Sequence, residues 1–179
     1  MNTKVKTITW IALLNLLFLF TAINAQPIRQ YLHEGWNFRQ ARGTNWYAAT
    51  VPGTVHTDLM DNKLIDDPFY RLNERGVQWV DKEDWIYRTT FDVTPELLAK
   101  KNIVLHFEGL DTYADVTLNG KKILSADNMF CEWQVDVRSL LKEHGNELQV
   151  YLHSPIKIAM PKWEAVPFQY RSSNDQSEN

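Results

Sequence analysis

Aromatic, aliphatic or β-branched side chains recur at every second position in three stretches of the chain: Trp85, Tyr87, Thr89 and Phe91; Ile103, Leu105 and Phe107; and Leu148, Val150 and Leu152. The residues between them are mainly polar, so each stretch reads as a strand with one buried and one solvated face. Shorter strands are predicted over residues 36–39, 114–118, 121–125 and 132–136, each bounded by Gly, Pro, Asn or Asp. Asn119-Gly120 falls between Ala114, Val116 and Leu118 on one side and Ile123 on the other. Both residues tolerate the positive φ of a two-residue turn, so they predict a tight hairpin. Short strands at this spacing, joined by antiparallel hairpins, predict an all-β fold, an antiparallel sandwich of two sheets.

Helix is confined to connectors in this pattern. Thr94 can cap a short helix over residues 95–100, with Pro95 at the first helical position, where its missing N–H does no harm. Residues 54–62 can place Val55, Leu59 and Met60 on one apolar stripe, and a turn of helix from residue 136 or 138 to 144 would be stopped by Gly145. After Ser154 the alternation decays. Pro155, Pro161 and Pro167 interrupt any ladder, and residues 171–179 contain no apolar side chain. The division expected is therefore a leader at 1–25, a sandwich at 26–154 and an incomplete, Pro-containing polar tail at 155–179.

The leader carries Lys4 and Lys6, then an apolar run from residue 10 to 20 broken only by Asn15, then small residues up to Ala25. That is the form of a secretory signal peptide, and its apolar run is well short of the roughly 20 residues that span a bilayer. A secreted or periplasmic protein is expected, with no membrane association after cleavage. Cys131 is the single cysteine, so no intramolecular disulfide can staple the fold. About 154 residues remain after cleavage, enough for one self-supporting domain. The mature chain has 17 basic against 22 acidic side chains, a net charge of −5, and no large basic cluster. Nucleic acid is not expected as a partner.

Hydrolytic chemistry finds few footholds. None of the five histidines, His33, His56, His106, His144 and His153, pairs with another ligand at a metal-binding spacing, so no metal and no cofactor are expected. No nucleophile elbow and no phosphate-binding loop occur. Glu108, Asp111 and Asp115 alternate with core positions or adjoin the hairpin, where an acid that is solvated or forms a turn is the ordinary reading. Five of the six tryptophans of the mature chain divide by pattern. Trp36, Trp85 and Trp133 fall in strand alternation and are expected to pack, whereas Trp79 and Trp163 fall in irregular segments and suit a contact surface.

The order of several segments carries a resemblance. GWNFRQA (35–41), VPGTVHTDLM (51–60), DDPFYRLNERGVQWVDKEDWIYRTTF (66–91), LHFEGLDTYADVTLNGKKI (105–123) and DVRSLLKEHGNELQVYLHS (136–154) together resemble the sugar-binding sandwich that opens the glycoside hydrolase family 2 enzymes, and among them the beta-mannosidases. The resemblance implies a jelly-roll of the galactose-binding-domain kind with a few short helices. It also implies an N-terminal fragment of an enzyme that removes terminal non-reducing beta-D-mannose with retention.

Such chemistry needs two carboxyl groups about 5 Å apart. In the resembled family both are glutamates on a barrel, so no catalytic residue is expected within this chain, which by itself should be inactive. The sandwich would pack on that barrel, and beta-mannoside oligosaccharides would be bound by the complete enzyme. In the same family the loop before the WIYRTTF strand reaches the mouth of the barrel. The resemblance thus nominates Asn73 and Glu74, with Trp79, to assist substrate binding; a solvated loop that forms local turns and salt bridges is the competing reading. A stand-alone carbohydrate-binding module and a structural or adhesive sandwich are the competing functions.

Overall fold

The computed structural model describes residues 27–168. The leader at 1–25 and the last part of the tail lie outside the described residues. Met1–Tyr31 form a unit of their own, of which the few described residues lack regular structure, and Leu32–Asn179 form the second unit. In that second unit the strands are β1 (Asn37–Gln40), β2 (Tyr47–Ala48), β3 (Trp85–Phe91), β4 (Val104–Phe107), β5 (Ala114–Leu118), β6 (Lys121–Ala126), β7 (Trp133–Asp136) and β8 (Asn146–Leu152). The helices are α1 (Val55–Asp61), α2 (Pro95–Leu98) and α3 (Pro155–Glu164), with two 3-10 turns at Asn73–Gly76 and Val80–Lys82. Among the described residues no helix is long and apolar enough to cross a membrane.

Six strands form one antiparallel sheet in the order β2-β1-β3-β8-β5-β6, and β4 pairs with β7 in a second sheet. The predicted alternation sets the faces. Phe38, Tyr87, Val150, Val116 and Leu124 are consecutive register partners across five strands. Leu105, Phe107, Trp133 and Val135 of the two-stranded sheet pack against the same core cluster, which closes the sandwich. Trp85, Tyr87, Ile103, Val116, Leu118, Leu148 and Val150 are buried as expected, while Phe91, Leu105, Phe107 and Leu152 are only half-buried around the rim.

Local chemistry accounts for the helix ends. Thr54 caps α1 through a reciprocal pair with Thr57, and the Thr94 side chain accepts from the Leu97 N–H at 3.3 Å to start α2. The turn after β5 is the one expected, with φ of 52° at Asn119 and 78° at Gly120. Two readings need correction. Residues 138–144 form turns and no helix: the Leu140 and Leu141 N–H groups both donate to Val137 O, and the Lys142 N–H donates to the Asn146 side chain at 2.8 Å instead of to a carbonyl one turn back. After Ser154 the chain enters α3 where an irregular tail was expected. The Ser154 hydroxyl caps the Lys157 N–H at 3.1 Å, and Pro155 occupies the first turn, where proline starts a helix as readily as it breaks a ladder.

Antiparallel pairing sorts the connections between two ends of the sandwich. Trp85 faces Gln40 and Leu152, Leu152 faces Ala114, and Ala114 faces Ala126. The segment leading into β3, the segment leading into β5, the segment leaving β6 and helix α3 therefore share one end. The β5–β6 turn and the loop before β8 occupy the other.

Candidate functional site

The site grows from the C-terminus of α1. The Lys63 N–H donates to Met60 O at 2.8 Å and the Leu64 N–H to Leu59 O at 2.9 Å, the paired bonds that close a helix through a left-handed residue. That residue is Lys63, with φ of 57°, so the chain turns sharply without a glycine. Asp67 then organises the next bend, its side chain accepting from the Phe69 N–H at 2.9 Å and its carbonyl accepting from the Tyr70 N–H at 3.1 Å and the Asn73 side-chain amide at 3.0 Å. Buried Val77 and Val80 pin the far end of the segment to the core. The Trp85 indole donates to Val80 O at 3.0 Å, and Trp79 packs on Trp85 with ring centroids 5.9 Å apart.

Between these walls lies a cleft of about 300 Å³, lined by Lys63, Leu64, Ile65, Asp66, Asn73, Gly76, Val77 and Trp79. Its lining brings together one aromatic ring, three aliphatic side chains and three polar ones around an open, shallow depression. Of the residues nominated from the sequence, Asn73 and Trp79 meet here. Glu74 is exposed and does not line the cleft, and its carbonyl accepts from the Gln78 side chain at 2.9 Å. Arg71 lies over the Tyr70 ring at 5.0 Å, so the loop is braced partly by stacking. Lys63, Leu64, Ile65 and Asp66 escaped the sequence reading because no glycine marks the end of α1. The Asp-Asp-Pro run at 66–68 was the available signal.

The other chemical groups are committed to structure. Asp115 accepts from the Ser125 hydroxyl at 2.7 Å, pairs with Lys122 at 2.7 Å and meets His153 Nε2 at 3.2 Å. The Lys122 hydrogen bond, then the Ser125 bond, hold its carboxyl down at about 2. For Asp84, burial raises the carboxyl, but bonds from the Ser154 N–H and the Tyr151 hydroxyl, with Lys157 nearby, outweigh it and leave the carboxyl below its usual value. Both groups thus favour the folded state above the ordinary carboxylate value near 3.8. Each contribution is lost as pH falls below that value, for Asp115 toward about 2. In an acid titration followed by circular dichroism, Asp115→Asn should therefore lessen the loss of stability over that interval. His106 meets Glu132 at 3.2 Å on an exposed strand face. No group of three or more His, Cys, Asp or Glu that could hold a metal occurs among the described residues.

The six-stranded and two-stranded sheets, with a loop-built cleft at one end, define an antiparallel β-sandwich module. Residues 36–179 match the family described as glycosyl hydrolase 2 galactose-binding domain-like, and the chain belongs to that family. Beta-mannosidase B of Thermothelomyces thermophilus is 44% identical over 126 residues, covering 69% of this chain and 15% of that enzyme. Beta-mannosidase B of Emericella nidulans is 42% identical over 118 residues, covering 64% of this chain and 14% of that enzyme. The crystal structure of the beta-D-mannosidase of Dictyoglomus thermophilum superimposes with a TM-score of 0.76 at 47% identity, over 80% of this chain and 18% of that enzyme. The chain thus spans between 14% and 18% of the length of these relatives.

Proposed function

We propose that this chain is the N-terminal sandwich of a secreted or periplasmic beta-mannosidase. The whole enzyme removes terminal non-reducing beta-D-mannose with retention, and its two catalytic carboxyl groups lie in the part of the enzyme outside this sequence. The observation that carries the reading is the crowding of exposed apolar side chains at the cleft end. Phe69 is 94% exposed and Phe130 89%, and Tyr70, Leu72, Trp79 and Trp163 join them on segments that meet at that end. A sandwich that ended in solvent would leave a cost in free energy on each of those rings, and such a concentration marks a surface that another folded body covers. The body is the catalytic barrel, and the cleft walled by Trp79 and Asn73 faces the approach to it. Asn73 and Trp79 assist in holding the mannoside, with Glu74 as an outlying polar contact.

Two measurements test this. The isolated chain should not hydrolyse an aryl beta-mannoside above the uncatalysed rate, because it supplies neither a positioned nucleophile nor a proton donor. Turnover by a preparation free of contaminating glycosidase refutes that assignment. In the full-length enzyme, Asn73→Ala should raise KM about tenfold, the loss of one well-placed hydrogen bond, while the loss of its exposed bond to Asp67 O lowers the melting temperature only slightly. Phe130→Asp should weaken the docking of the sandwich on the barrel and lower Tm. Wild-type kinetics for Asn73→Ala return that loop to a solvated role, and an unchanged Tm for Phe130→Asp removes the docking surface.

A further inference from the structure

At the end of the sandwich opposite the cleft, the Asn119 side chain does more than permit a turn. Its Nδ2 donates to Leu140 O at 2.8 Å and to Asn146 Oδ1 at 3.0 Å, and its Oδ1 accepts from the Glu147 N–H at 2.9 Å. Asn146 is fully buried, and its own orientation is fixed. Its Nδ2 donates to Phe91 O at 3.3 Å and Lys142 O at 2.7 Å, while its Oδ1 also accepts from the Lys142 N–H at 2.8 Å. The polarity of the network is therefore set throughout: at position 119 an N–H₂ group must face two oxygen acceptors. An oxygen there has no donor to meet, and turning Asn146 over to supply one would leave Phe91 O, Lys142 O and the Lys142 N–H unsatisfied.

The residue that supplies this N–H₂ group is followed by glycine. With no Cβ at position 120, and open space where one would stand, the Gly120 nitrogen has the least hindered approach to the Asn119 side-chain carbon that any dipeptide offers. We propose that Asn119 is a site of spontaneous deamidation which the native hydrogen bonds hold off, and whose modification irreversibly unlatches the β5–β6 turn from the loop before β8. In the reaction the Gly120 nitrogen loses its proton and bonds to Asn119 Cγ, and the side-chain nitrogen leaves as ammonia. Water then opens the resulting cyclic imide at one of its two carbonyl carbons. One product carries an ordinary aspartyl residue at this position, and the other is an isoaspartyl linkage that runs the main chain through Cγ. Overall, one water is consumed and one ammonia released, with no redox change.

In the native state Cγ is tethered toward residues 140–147 by all three side-chain bonds, so attack requires the turn to open first. Once the amide is gone, a carboxylate stands against Leu140 O and Asn146 Oδ1. Each opening of this end thus carries a chance of a lesion that cannot be reversed by refolding.

The test is to age the full chain at mildly alkaline pH, folded and in urea, and to follow the peptide containing positions 119 and 120 by mass spectrometry with isoaspartate detection. The unfolded chain should deamidate there at least about tenfold faster than the folded one, the ratio expected for a site that reacts only through local opening. Equal rates overturn the protection. Asn119→Gly retains a residue suited to positive φ and removes the latch, whereas Asn119→Asp reproduces one lesion. Asn119→Asp should melt below Asn119→Gly, and failure of the former to fold while the latter folds is the same result in the extreme. An Asn119→Asp protein as stable as wild type, or more stable than Asn119→Gly, overturns the claim that the modification unlatches the turn.

Discussion

Replacing Phe38 with alanine is expected to cost about 3–5 kcal/mol of stability, the range for deleting a buried aromatic ring and leaving its cavity. Phe38 is wholly buried, with Tyr87 at 5.5 Å, Trp85 at 5.8 Å and Tyr47 at 6.1 Å between ring centroids. Three rings cannot collapse into the space, since Tyr87 and Trp85 are held by β3 and by their own polar bonds to Asp58 and Val80. Phe38→Leu fills more of the volume and should cost less than half as much as the alanine variant. Urea unfolding of both variants checks the ordering, and a loss below about 1 kcal/mol for alanine removes Phe38 from the centre of the core.

Tyr87, which stacks on Phe38 and was expected in the core, shows why this fold is readable in sequence. A period of two ties each side chain to a face, so one correctly placed strand fixes which residues meet across the sheet. The strand Ala114–Leu118 and the turn after it follow from that alternation and the demand of positive φ. Segments without a period are less legible. Strand β2 has only two residues and exists because β1 offers it an edge. The turns at 138–144 have helical composition, but Asn146, fixed by the buried end of β8, takes the Lys142 N–H away from the helix pattern.

The cleft shows the same division between local and tertiary signals. Trp79 was separable as an aromatic residue of an irregular segment, whereas Lys63 and Asp66 follow the end of α1 and join it only when the chain folds back. Resemblance to family 2 enzymes supplied Glu74 along with Asn73, and the geometry puts only Asn73 in the cleft. Adjacent positions on a 3-10 turn point in different directions, so a motif shared by two neighbours cannot assign both.

Asp58 was hidden for a related reason. On the stripe expected for α1 it stands beside Leu59 as a polar residue, yet it is 1% exposed. Its carboxylate accepts from the Tyr87 hydroxyl at 2.7 Å and from the Thr50 N–H at 2.8 Å, so it joins α1 to the middle of the sheet and to the segment before the helix. Asp58→Ala leaves a buried phenol and a main-chain N–H without their acceptor and should cost about 3 kcal/mol or more, as two hydrogen bonds to a charged group are lost. Tyr87→Phe removes one of them, and the double variant should cost less than the sum of the two, because the shared bond is counted once. Strict additivity shows that the pair does not interact.

Burial pushes the Tyr87 phenol well above its ordinary value of 10.0, and the hydrogen bond and charge of Asp58 push it further. A raised value in the folded state means that this contribution is complete below about pH 10 and is lost as pH climbs beyond it, so alkaline unfolding should set in at higher pH for Tyr87→Phe relative to its own stability at neutral pH. Asp58 sets the position of α1, and the left-handed turn at its end begins the wall of the cleft. On the function proposed above, Asp58→Asn in the full-length enzyme should therefore disturb KM for mannoside through Lys63 and Asp66 with no residue of the cleft replaced. Unchanged kinetics in a variant that is measurably destabilised would uncouple the buried bond from the site.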